Sequence, residues 1–375
     1  MTKTRILVFI SALLPWLSAM AQNQTEFIRL NQVGFYPDAP KTAIIAAEVK
    51  GEFFIATPDL EKKVFTGMLK GPQTSSLSGK KTTVADFSKF NKTGKYVVWV
   101  PSLGHSFPFE IKPAVHRYLA VAALKGFYYQ RASMPLEERY AGPWHRPAGH
   151  PDREVFVHAS AADGNRRAET VISSPGGWYD AGDYNKYIVN SGITMGTLLS
   201  LYEDFPDFFN KLETNIPESG NGVPDLLDEV LWNLRWMLTM QDPHDGGVYH
   251  KLTTAEFEGF VKPHEAKDKR FVVKKTTAAA LDFAAVMAQA ARVYEPFGDR
   301  FPWLADSCMK AAQKAWTWAK LHPHVLYEQG KLNEQYDPDI NTGAYGDNDL
   351  TGEWIWAAVE LYVTTGDDSY LSGLD

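Results

Sequence analysis

At Lys112-Pro113 the chain changes its period, and the change divides it into two kinds of structure. Before that point, short runs rich in β-branched and aromatic residues (Thr42–Val49, Phe53–Ala56, Thr82–Phe87, Tyr96–Val100) alternate with turn clusters such as Pro37-Asp38-Ala39-Pro40, Lys70-Gly71-Pro72 and Lys92-Thr93-Gly94. Such side chains suit a pleated surface and such turns interrupt it, so residues 22–112 are predicted to form a small all-β sandwich of about seven strands. After that point, Pro113 suits the first turn of a helix, and Val115, Leu119, Ala122, Ala123 and Phe127 follow at helical spacing. Pro224 opens another helix, with Leu226, Leu227, Val230, Leu231, Leu234 and Leu238 on one side. Thr276–Tyr294, Trp303–Leu321 and Glu353–Thr364 have the same pattern. No strand runs intervene, so residues 113–375 are predicted all-α. Their long loops are rich in Gly, Asp, Trp and His, and long loops on a helical scaffold usually carry function.

A net charge of -7 gives no electrostatic reason to expect nucleic acid or an anionic membrane as partner. Aromatics make up 13% of the chain, enough to serve both as core and as flat platforms for sugar rings, and composition does not separate the two. At the N-terminus Lys3 and Arg5 precede an apolar run from Ile6 to Leu17, followed by Ala19-Met20-Ala21. The run is short of the ~20 residues that span a bilayer. Residues 1–21 therefore read as a signal peptide cleaved after Ala21, which predicts a secreted or periplasmic protein with no membrane insertion after cleavage. Cys308 is the one cysteine, so export brings no intramolecular disulfide.

The densest chemistry lies in Ser173-Ser174-Pro175-Gly176-Gly177-Trp178-Tyr179-Asp180-Ala181-Gly182-Asp183-Tyr184-Asn185-Lys186-Tyr187. Two acids stand three apart across a small Ala-Gly spacer, with glycines before them and aromatics around them. Two carboxylates aimed at one spot can hold a water, orient it and remove its proton, which is the task of the base in an inverting glycosidase. The plain alternative is a pair of Asp side chains serving a turn ahead of the next helix.

This stretch resembles a known family. Gly177-Trp178-Tyr179-Asp180-Ala181-Gly182-Asp183-Tyr184 is similar to the catalytic-base signature of glycoside hydrolase family nine, in the endoglucanase subgroup with an immunoglobulin-like domain ahead of the catalytic domain. Ile28-Arg29-Leu30-Asn31-Gln32-Val33-Gly34-Phe35 resembles the start of that first domain. Ile216–Glu229 resembles the family's loop-to-helix segment, and Gly246-Gly247-Val248-Tyr249-His250-Lys251 a cleft loop. The resemblance implies an immunoglobulin-like sandwich followed by an (α/α)6 barrel, of which this sequence reaches about half. It implies an inverting endo-β-1,4-glucanase acting on cellulose, mixed-linkage glucan or xyloglucan.

Carried over residue by residue, the resemblance makes Asp183 the general base and Asp180 the residue that helps bind and orient the attacking water. His250 falls where the family has a histidine contacting sugar near the scissile bond. Trp178 and Tyr184 are placed beside the cleft by adjacency, and Tyr184 either lines it or packs under the loop. Asp347, Asp349 and Glu353 match a calcium-binding loop in place, although an acidic first turn of the following helix reads equally plainly. The subgroup's zinc is not carried over, because Tyr140–His150 has no cysteine and histidines alone would have to supply the ligands. The family's catalytic acid is a glutamate near the end of the barrel, and no residue up to Asp375 matches it. The chain taken alone is thus expected not to be a competent hydrolase. A non-catalytic glycan-binding protein using the same cleft is the reading from another class. A polysaccharide lyase would want Arg, Lys and Tyr converging, not paired Asp.

Overall fold

The computed structural model describes residues 23–372, so the signal peptide expected at 1–21 lies outside the described residues. The chain forms two compact units that divide between Ala120 and Val121.

The first unit consists of two antiparallel sheets. One runs, in spatial order, Ile28–Arg29, Thr42–Ile45, Lys81–Asp86 and Lys70–Thr74. The other runs Lys63–Met68, Glu52–Ala56, Gly94–Val100 and Gly104–His105, with Phe109–Ile111 also paired to Gly94–Val100. Strict alternation drives burial: in Thr42–Ile45, Ala43 and Ile45 are buried while Thr42 and Ile44 face outward. The inward side chains of both sheets, among them Phe53, Ile55, Phe87, Val98 and Phe109, close one core. The predicted turn at Lys70-Gly71-Pro72 is instead part of an edge strand, whose register with Lys81–Asp86 shifts between Lys70 and Gln73. Pro72 has no N–H to give a ladder, and an edge with a bulge is where a sheet tolerates that.

The second unit is built on the helix Thr277–Tyr294, packed against Ile188–Asp204, Leu304–Leu321 and Thr351–Thr365. Thr276 caps it by accepting a hydrogen bond from the amide of Ala279. Every residue of Thr277–Tyr294 except Arg292 is buried. Apart from Thr277, Asp282, Gln289 and Arg292 its side chains are mainly alanine and larger apolar groups, and a helix so nearly apolar all round is an interior one.

The prediction of helices without strands is corrected here. The unit also holds a five-stranded sheet in the order Val171–Ile172, Val155–Val157, Arg270–Val272, Lys251–Thr254, Lys186–Tyr187. Lys186 is registered against Leu252 and Tyr187 against Lys251. These strands are two to four residues long, too short for a hydrophobic period to show. Lys251–Thr254, though wholly buried, is mostly polar, so no apolar run announces it.

Candidate active site

Residues 174–187 are fixed from three sides. Directly after the helix Arg117–Gln130, the chain pairs with the segment ahead of the acids: Tyr179 N–H donates to Gln130 O (2.9 Å), and Ala132 N–H to Gly177 O (2.9 Å). Gly177 has φ +78°, and a Cβ there would lie 2.8 Å from the Trp236 ring, so both backbone and space require glycine. Lys186 runs back beneath the loop. Its buried ammonium pairs with Asp152 (2.7 Å) and donates to the carbonyls of Ser174 (3.1 Å) and Gly176 (2.8 Å). Burial pushes this lysine down to about 8, with Asp152 opposing. Arg270 joins the pair, its Nε 2.9 Å from Asp152.

The third fixing comes from the loop-to-helix segment. Arg131 is fully buried and bonds two carboxylates, Glu229 through Nε (3.0 Å) and Glu218 through Nη1 (3.0 Å). Burial works against the guanidinium, yet Glu229 and Glu218 hold it charged and above its ordinary range. Glu229 also accepts from the indole N–H of Trp178 (2.8 Å). Both glutamates of the Ile216–Glu229 motif are thus committed to holding the segment that bears the acids.

On the same helix, burial pushes the Asp228 carboxyl up to about 7, and its Oδ2 has no partner. The native state then binds more protons than the unfolded chain between about pH 4 and pH 7. This contribution to stability is therefore full below about pH 4 and is lost as pH rises through about 7. Asp228→Asn is expected to flatten that decline, read as the urea midpoint across pH 4–8. An unchanged slope would contradict it.

Within the loop, the Asp180 amide donates to Asn185 O (3.1 Å), which closes the turn and leaves Ala181 and Gly182 exposed at its tip. The two carboxylates differ in their partners. Asp180 receives one donor on each oxygen, Asn190 Nδ2 on Oδ1 (2.7 Å) and the Tyr345 hydroxyl on Oδ2 (2.9 Å). Asp183 receives both of its donors on Oδ2, from Asn185 Nδ2 (2.9 Å) and the Tyr187 hydroxyl (2.9 Å). Among the described residues nothing donates to Asp183 Oδ1. Beside Asp180, with Asp183 outside the lining, lies a cavity of about 340 Å³ bordered by Trp178, Tyr179, Asp180, Tyr187 and Asn190 together with residues of the helices Arg117–Gln130 and Ile188–Asp204.

The structure sorts the remaining expected residues. Trp178 borders this cavity with its indole N–H already committed to Glu229. Tyr184 is turned to the other side of the loop, where its hydroxyl donates to Val261 O and its ring packs on His150 and Tyr179. There it borders a separate cavity of about 590 Å³. His250 is placed differently from the sugar contact expected of it. It is buried, Nδ1 bonds Thr276 Oγ1 (2.9 Å), Nε2 bonds Ala344 O (2.9 Å), and its ring stacks on Tyr327. Burial pushes it down to about 4, so the ring is neutral near pH 7. With both nitrogens taken, it secures the segment before Tyr345.

Asp347 and Asp349 turn their carboxylates onto their own loop: Asp347 Oδ1 accepts from the Asp349 amide (2.9 Å), and Asp349 Oδ1 from the Thr351 amide (3.1 Å) and hydroxyl (2.6 Å). Glu353 is pushed up by burial, and further by Asp347 and Asp349. Among the described residues no group of three or more His, Cys, Asp or Glu side chains could hold a metal ion.

Sequence reasoning missed Asn185, Tyr187, Asn190, Tyr345 and Lys251, which hold or adjoin the two acids. Asn185, Tyr187 and Lys251 sit inside motifs already singled out, whereas Asn190 and Tyr345 are joined to Asp180 only by the fold.

Comparison with known proteins comes to the same place. Residues 117–375 match the model of glycosyl hydrolase family 9, and residues 23–105 that of the cellulase N-terminal ig-like domain. A xyloglucan-specific endo-beta-1,4-glucanase of Bacteroides ovatus is 52% identical over 345 residues, covering 92% of this chain and 58% of that protein. Endoglucanase D of Acetivibrio thermocellus is 34% identical over 348 residues, covering 92% of this chain and 52% of its own length. Among solved structures, a Bacteroides ovatus GH9 protein superposes with a TM-score of 0.88 at 50% identity, covering 93% of this chain and 63% of that one. The chain thus spans between half and three fifths of the length of these curated relatives. With the family model matching from the helix Arg117–Gln130 onward and the sandwich matching the domain that precedes it, the chain belongs to glycosyl hydrolase family 9.

Proposed function

We propose that this chain supplies the base side of an inverting endo-β-1,4-glucanase active site whose substrate is a β-glucan of the xyloglucan type. The observation that carries the reading is the asymmetry of the two carboxylates. Asp183 keeps one oxygen without a protein donor, suited to accept a proton from water. Asp180, with a donor on each oxygen, is suited to orient that water. In an inverting mechanism the water attacks the anomeric carbon from the face opposite the leaving group and passes its proton to the base. A separate acid, ~6.5–9.5 Å from the base, protonates the leaving oxygen. Glu218 and Glu229 are engaged by Arg131, which argues against either as that acid. The relative specific for xyloglucan, at 52% identity, favours that glucan over unbranched cellulose.

Export through residues 1–21 belongs to the same proposal, and among the described residues no helix is long and apolar enough to cross a membrane. The deciding experiment is reducing-sugar release from xyloglucan, barley β-glucan and carboxymethylcellulose, by residues 22–375 and by a version carried over the full length of the relatives. Release from xyloglucan at least about tenfold above the other two, by the longer version, is the expected result. Retention on xyloglucan with no sugar released by either version would favour a glycan-binding protein instead.

A further inference from the structure

Lys251 is a buried cation with no counter-ion in contact. Its side chain is fully buried, and its ammonium donates to three neutral oxygens: Gln329 Oε1 (2.9 Å), Thr342 Oγ1 (2.9 Å) and Gly343 O (2.7 Å). Three donors to three acceptors leave none spare. Among the described residues no carboxylate lies within ion-pair distance of it, an arrangement that proteins ordinarily avoid. Burial pushes the amine down to about 7, and the charge that pulls it back up is Asp183.

Two routes lead from this lysine to the two acids. In the first, Gly343 donates its amide to the Tyr187 hydroxyl (3.2 Å), and that hydroxyl donates to Asp183 Oδ2 (2.9 Å). The ammonium also stands 5.7 Å from the Tyr187 ring centroid. In the second, Thr342 and Gly343 begin a strap that His250 holds at Ala344 O and that ends in Tyr345, the donor to Asp180 Oδ2. Tyr345 has φ +47°, an uncommon conformation for a tyrosine, and its ring meets that of Tyr187 edge-on at 4.7 Å.

We propose that Lys251 is a positioning residue for glucan hydrolysis. Its buried ammonium ties down the Thr342–Tyr345 strap and holds both carboxylates in register through Tyr187 and Tyr345. The proposal rests on the reading of Asp183 as the base. The groups facing Lys251 are Asp183 and Tyr187 from the base segment, the adjacent His250, Tyr327 at 5.2 Å, and the neutral Gln329 and Thr342. Burial pushes His250 down to about 4 and Tyr187 and Tyr327 up, so near pH 7 all three rings are neutral.

In the version carried over the relatives' full length, Lys251→Met is expected to lower kcat roughly tenfold while KM changes by less than about threefold. Lys251→Gln keeps a donor for the strap and should lose less of kcat. Tyr345→Phe, which takes one donor from Asp180, should likewise lower kcat and spare KM. A kcat within about threefold of the parent in whichever of the two lysine variants folds overturns the proposal, whatever happens to the melting temperature. If neither folds, Tyr187→Phe decides it, because it cuts the route from Gly343 to Asp183 and must lower kcat with KM held. Asp183→Asn separates the two ideas: activity surviving there defeats the reading of the base itself.

Discussion

Asp183→Ala, in a version carried over the full length of the relatives, is expected to lose about 10²–10⁴-fold in turnover while substrate binding survives. The size follows from what the side chain is placed to do. Tyr187 and Asn185 both donate to Oδ2 and so fix the carboxylate plane, leaving Oδ1 as the oxygen that can receive a proton. Removing the group takes the proton acceptor from the transition state and little from the ground state, so kcat should fall and KM should hold. Asp180→Ala should cost less. It abolishes an orienting contact and releases Tyr345 and Asn190, but a base remains. Turnover by Asp183→Ala within about threefold of the parent, from kcat and KM on xyloglucan, would remove Asp183 from the mechanism.

The second large effect is on stability. Arg131→Met is expected to destabilise the helical unit by about 3–5 kcal/mol, because the change strands buried carboxylate without a counter-ion. Glu229 is 2% exposed and would keep only the Trp178 indole as a donor. Glu218, with its side chain 30% exposed, can turn to water and should contribute less. Adding Glu229→Gln to Arg131→Met should therefore recover part of the loss. Denaturant melts followed by tryptophan emission would measure both, and a single variant as stable as the parent would show that the pair does not support the loop. Because Trp178 shares Glu229, the loss should extend to the segment Gly177–Tyr179.

The sequence was informative where a period or a dense motif had room to form. Val97, Val98 and Val100 beside aromatic Tyr96 and Trp99 mark a strand by composition alone, and Thr276–Tyr294 marks a helix by length. The family, the sandwich and the two aspartates followed from contiguous residues. What escaped were contacts that only folding creates. The strand Lys251–Thr254 carries Lys, Thr and Thr into a fully buried place, against every expectation from hydropathy. Their polar groups are matched one by one across the fold, Lys251 to Gln329, Thr342 and Gly343, and Thr254 to Asn185. Such matching is local to three dimensions and leaves no pattern along the chain. His250 shows the converse: the motif singled it out, but whether its ring faces sugar or backbone depends on where Ala344 lies, 94 residues further on.

The helix Thr277–Tyr294 also constrains how this unit comes into being. A segment with scarcely a water-facing side chain gains little by forming alone, since its alanines bury almost nothing until neighbours arrive on several sides. Its partner Leu304–Leu321 follows after a short connection, but Ile188–Asp204 and Thr351–Thr365 come from distant stretches of chain, so part of the contacts that reward it close long loops. The amide hydrogens of this buried central helix are accordingly expected to be among the slowest of the unit to exchange. The helix Ile188–Asp204, which leaves the base segment at Tyr187, packs directly on it. The base segment therefore rests, at its Tyr187 end, on packing that several distant stretches of chain share.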